Sequence, residues 1–225
     1  MKKIELIQKD LIARLDKLIQ DQYLLRLEII GRKISSVFYH YEPGKKDIHI
    51  PDMKILHLPM GCLWIKTDNG NIYKIVTSYL YWNKLDHGIL LEKVDANRLS
   101  IDFKSAINRS KLSCWRPLLD NKITIAEWNW KGGHKLVQEK NRIISRSYML
   151  DQVLKEGLYP EKITLHFENM KKLYIIAADP DEIIPGTKKY NLISAGQEIM
   201  VFFCQNKLKD WGLSNPGFEI NVTDS

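Results

Sequence analysis

A chain of 225 residues with 44% hydrophobic and 27% charged side chains carries enough apolar material for a full core, which excludes intrinsic disorder and the small disulfide-stapled scaffolds. Its cysteines, Cys62, Cys114 and Cys204, are widely spaced and form no C-x-x-C pair, so neither a disulfide framework nor a structural zinc site is expected. The net charge of +7 is concentrated in residues 98–146, which hold 11 Lys/Arg against 4 Asp/Glu, while the flanking segments cancel.

At the N-terminus, Ile4, Ile7, Leu11, Leu15 and Leu18 recur at helical spacing, with Lys9, Asp10, Asp16 and Lys17 between them. Residues 3–21 therefore read as an amphipathic helix. The charges at Glu5, Lys9 and Asp10 also interrupt any signal-peptide apolar core, and no apolar run approaches the roughly 20 residues of a membrane span. The expected location is cytoplasmic, with no membrane partner. From Tyr23 the period changes: Leu25, Leu27 and Ile29 alternate with Arg26 and Glu28, predicting a strand broken or bulged at Gly31, and Ile34–Tyr41 predicts another.

Pro43–Asp47 is a turn, and Pro51 and Pro59 limit residues 54–58 to an edge strand. The strongest hairpin signal follows: Cys62–Thr67 leads into Asp68-Asn69-Gly70, and Asn71–Val76 leads out, with Trp64 and Tyr73 close enough to pair across the strands. Gly88–Val94 is a further strand. Residues 95–121 carry no clear period, and Pro117 ends whatever precedes it. Lys122–Trp130 is a strand stopped by Gly132-Gly133, whereas residues 135–156 contain both helical and strand patterns. Strands return at residues 162–167, 173–178 and 198–204, joined by a turn at 168–171 and a loop containing Pro180, Pro185 and Gly186.

Two stretches echo each other. Trp64–Asn69 followed by Ile72–Ile75 resembles Leu165–Asn169 followed by Leu173–Ile176, and each leads through a loop to a Gly-led strand at Gly88 or Gly196. One reading is two related β-rich halves, about 23–97 and 118–213, within a single domain spanning 1–225; the other is that antiparallel hairpins look alike in sequence. The expected fold is a strand-rich α+β domain, an N-terminal amphipathic helix with one or two antiparallel twisted sheets.

No nucleophile elbow, phosphate loop, dinucleotide fingerprint or zinc-protease motif occurs, and no cofactor is implied. The histidines share no i, i+2 pair that a strand could turn to one metal. Cys114 lies among Arg109, Lys111 and Arg116, a setting that favours thiolate, but no partner base is identifiable. Asp179 and Asp181-Glu182 beside prolines read as loop formers rather than a catalytic carboxylate pair.

The chief functional signal is the coincidence of tryptophan with basic residues: Trp115-Arg116, then Trp128, Trp130, Lys131, His134 and Lys135. On a strand Trp128 and Trp130 share a face, so they form either an exposed anchor for a partner or part of the core with solvated cations at its rim. The leading expectation is a non-enzymatic protein-binding module, of the kind represented by bacterial toxin-neutralising immunity proteins. The alternative is nucleic-acid binding through residues 98–146, and the third is an enzyme of unrecognised type.

Overall fold

The apolar and amide residues that follow Leu18 keep helical spacing, since Gln22, Leu25 and Ile29 repeat on the same side. In the computed structural model, which describes residues 2–41, 56–57, 59, 61–79, 87–95, 106–131, 159–183 and 190–210, helix α1 (Lys2–Ile29) runs through them all. The strand expected from Tyr23 is therefore corrected to helix. Ile29 and Gln22 are buried while Leu27 is half exposed, so the Leu25/Leu27/Ile29 alternation was an accident of a wide apolar stripe. Gly31, at φ 81°, takes the left-handed conformation that lets the chain leave the helix.

Two five-stranded antiparallel sheets follow. Sheet 1 has the order β5 (His87–Val94), β4 (Ile72–Tyr79), β3 (Gly61–Thr67), β1 (Ile34–Tyr41), β6 (Ile107–Asn108). Sheet 2 has the order β2 (Leu56–His57), β10 (Tyr190–Phe202), β9 (Lys172–Ile183), β8 (Tyr159–Phe167), β7 (Ile123–Lys131). A short helix, α2 (Gln205–Asp210), follows β10. The strand-rich α+β expectation holds, with two sheets. Strand β5 packs against β8 and β9, and β10 against β3, β4 and β5, so the sheets lie face to face. One apolar cluster joins Leu63, Ile65, Ile75, Ile89 and Leu91 of sheet 1 to Ile163, Leu165, Ile175, Ile199 and Val201 of sheet 2. Among the described residues, no helix is long and apolar enough to cross a membrane.

The Asn-Gly hairpin forms where expected, with Gly70 at φ 83°. Trp64 and Tyr73 are not directly opposed: Tyr73 faces Ile65, and Trp64 faces Lys74, whose ammonium lies 5.3 Å from the indole centre. Residues 56–57 do lie at an edge, beside β10. Residues Asp179, Asp181 and Glu182 belong to β9, not to a loop. Pro180 is tolerated there because it lies past Ile176, the last β9 residue paired with β8, and so displaces no bond on that side. The turn expected at 43–47, the stop at 132–133 and the ambiguous segment 135–156 lie outside the described residues.

The two sheets are built alike in detail. Both first strands carry a bulge directly after their first residue, Ile34 in one and Ile123 in the other. Both hairpin turns close in the same way: Thr67 N donates to Asn71 O and Gly70 N to Thr67 O, while Phe167 N donates to Lys171 O and Met170 N to Phe167 O. In each turn the asparagine side chain, Asn69 or Asn169, accepts from the backbone two residues on. Before each first strand stands a left-handed residue, Gly31 or Asp120, and the two segments bond reciprocally. Gly31 N donates to Ile123 O (2.8 Å) and Asp120 N to Ile34 O (3.0 Å), around an antiparallel Lys33–Lys122 bridge.

The last turn of α1 is tied to sheet 1 through Glu28, whose carboxylate accepts from Asn71 Nδ2 (3.0 Å), Tyr73 OH (3.0 Å) and the Lys93 ammonium. The Lys93 hydrogen bond, with that of Tyr73, holds the Glu28 carboxyl below its ordinary range against the opposing effect of burial. A carboxylate favoured by folding stabilises the native state above its unfolded pKa, about 4.3, and that stabilisation is lost as pH falls through the lower folded value. Glu28→Gln should therefore shrink the difference in stability between neutral pH and pH about 3. Urea melts across that range check it; an unchanged acid limb would show that the pair adds nothing.

Candidate interaction surface

Strand alternation sends Ala126, Trp128 and Trp130 to one face of β7 and Ile125, Glu127 and Asn129 to the other, so the two tryptophans do share a face. That face points inward. Trp128 and Trp130 are each 3% exposed, covered by Ile19, Gln22, Tyr23 and Arg26 of α1. Gln22, itself buried, makes three bonds there: Nε2 donates to Leu91 O (2.9 Å), and Oε1 accepts from Leu91 N (3.0 Å) and Trp128 Nε1 (3.0 Å). One side-chain amide thus occupies the open edge of β5 as a neighbouring strand would and satisfies an indole from the other sheet.

Trp115 is also core, at 0% exposure. The turns at residues 112–119 place it beneath β1 and the end of β10, where Nε1 donates to Tyr39 OH (2.7 Å) and the ring meets Phe203 edge-on at 5.0 Å. A surface anchor built on these three tryptophans therefore does not stand. Of the cations grouped with them, Arg116 is exposed, Lys131 ends β7, and His134 and Lys135 lie outside the described residues.

What the fold does bring to one place is a different set. The Lys33–Lys122 bridge lies between the two hairpin turns: Asp68 N donates to Lys33 O and Glu168 N to Lys122 O, both at 2.9 Å. Asn169 Nδ2 donates to Pro117 O, which ties the second turn to Arg116. Arg32, Arg116, Lys122, Lys171 and Lys172 are exposed at this end, with the half-buried Lys33 between them. Acidic Asp68, Asp120 and Glu168 are interleaved, and Glu168 Oε1 accepts from Lys122 N (3.1 Å). At the tip of the second turn stands Met170, 87% exposed, and Ile125 is exposed on β7, the strand paired with β8.

Other features are weaker. An open groove of about 460 Å³ runs between α1 and β5, lined by Leu18, Leu24, Leu25 and Leu90, with Asp21 and Lys93 among its polar residues. On the face of sheet 2 opposite Trp128, His166 Nε2 lies 3.2 Å from Glu127 Oε1, and burial lowers the pKa of Lys162 and raises that of Tyr174. Burial also pushes the Cys114 thiol up, away from the thiolate a nucleophile requires. Among the described residues no three His, Cys, Asp or Glu side chains converge as metal ligands.

The fold and this surface define a strand-rich α+β protein with two like-built antiparallel sheets. No protein-family model matches the chain, and neither a curated protein nor a solved structure does.

Proposed function

We propose that this chain is a non-enzymatic protein-binding module, of the toxin-neutralising immunity kind, that meets its partner through the end centred on Lys33 and Lys122. The observation supporting it is the composition of that end, where an apolar side chain, a surplus of cations and a minority of carboxylates share one rigid backbone frame. A protein partner can answer both signs of charge and receive the methionine. A polyphosphate cannot answer Asp68, Asp120 and Glu168, and among the described residues every tryptophan is buried rather than presented to a base. The surplus of cations fits a partner with a net acidic face.

The nucleic-acid alternative keeps one point in its favour, because the exposed cations Arg116 and Lys122 of the basic segment gather here. A genomic-library two-hybrid screen, followed by affinity measurement with the double charge reversal Arg116→Glu/Lys122→Glu, separates the two. The expected partner is net acidic, arrests growth when expressed alone, is tolerated with this protein, and binds the reversed variant about tenfold or more weakly. A steeply salt-dependent preference for oligonucleotides over any protein would put the alternative in its place.

A further inference from the structure

We infer that Met170 is the apolar anchor of this surface and that it packs against apolar side chains flanked by carboxylates on an acidic segment of the partner protein, an assignment that rests on the protein-binding reading above. The two hairpin turns share their backbone bonds, their asparagine and their left-handed residue, yet the left-handed place is Gly70 in one and Met170, at φ 65°, in the other. Glycine is the default residue there because a Cβ is disfavoured in that conformation. At Gly70 an added Cβ would meet nothing within 4 Å, so the constraint is conformational rather than one of space.

Methionine thus occupies a strained position while giving no core packing in return, since 87% of it is exposed. Strain of this kind persists where the surrounding structure enforces it, and it clusters at functional sites. The platform is rigid: the turn is held by Phe167 N to Lys171 O (2.9 Å), Lys171 N to Asn169 Oδ1 (3.1 Å), and Glu168 N to Lys122 O (2.9 Å). An unbranched thioether on such a platform adapts to an apolar side chain of the partner while its backbone is already ordered, so little is lost on binding. Lys171 and Lys172 follow it directly, and Lys122 and Arg116 lie alongside, which sets the acidic charge of the partner segment.

The test uses full-length protein and fluorescence anisotropy with three probes. These are short peptides carrying Leu or Phe flanked by Asp and Glu, the same peptides with Lys in place of the acids, and a single-stranded oligonucleotide. Met170→Gly and Met170→Asn remove the anchor while suiting the left-handed backbone, and Met170→Leu retains an apolar side chain. Acidic peptides should bind in preference to the other two probes, and the Gly and Asn variants should weaken them about tenfold, with Leu near wild type and no variant less thermostable. If those variants bind unchanged while Arg116→Glu/Lys122→Glu loses the peptide, the anchor is overturned and the binding face stands. If neither change matters, or if the oligonucleotide binds best, both the anchor and the protein-binding face are overturned.

Discussion

Trp128→Ala is expected to lower the unfolding free energy by about 4 kcal/mol. The side chain is 3% exposed between α1 and the inter-sheet core, so its loss leaves a cavity on both sides of a packing boundary. It also strips Gln22 Oε1 of one of its two donors, a buried group whose unmet hydrogen bond costs roughly 1 kcal/mol or more. Trp128→Phe, which keeps most of the volume, should cost clearly less. Urea unfolding of both variants is the check. A loss under about 1 kcal/mol for the alanine variant would mean that the indole faces water rather than the core.

Trp115→Ala should be of similar size, about 3 to 5 kcal/mol, through a different mechanism. Among the described residues 106–122 no regular element exceeds two residues, and the segment's turns are anchored by one fully buried indole that bonds Tyr39 and meets Phe203 edge-on. Tyr39→Phe should cost roughly 1 to 3 kcal/mol by leaving the indole N–H unmet, and the double variant should lose less than the sum of the two. Additive losses in denaturant melts would sever the proposed link between β1 and this segment. The exposed cation Arg116 directly follows Trp115, so the same variants should also misplace part of the basic end.

Most strands were legible because period-two alternation and Asn-Gly turn chemistry are local signals, as at residues 62–76. The end of α1 was not, because Leu25, Leu27 and Ile29 satisfy both periods. Burial of Gln22, a polar residue, is what closes the helical stripe, and its partners at Leu91 and Trp128 are far away in sequence. The tryptophans were legible as a shared face but not as an inward one, since alternation fixes which residues lie together and not which side is wet. Met170 left a readable trace, a methionine where the echoing turn has glycine, but its meaning depends on the left-handed backbone and on the bridge that brings Arg116 and Lys122 beside it.

The shared register of the two meanders carries a kinetic hazard. A β1 strand with the same bulge as β7, offered hairpins with the same turn, has a near-equivalent wrong partner during folding and in crowded chains. What distinguishes the halves is the element before each first strand, a 28-residue helix in one and a few short turns in the other. Gln22 reads both sheets at once, Leu91 in the first and Trp128 in the second, so its three bonds can all form only over the correctly matched pair.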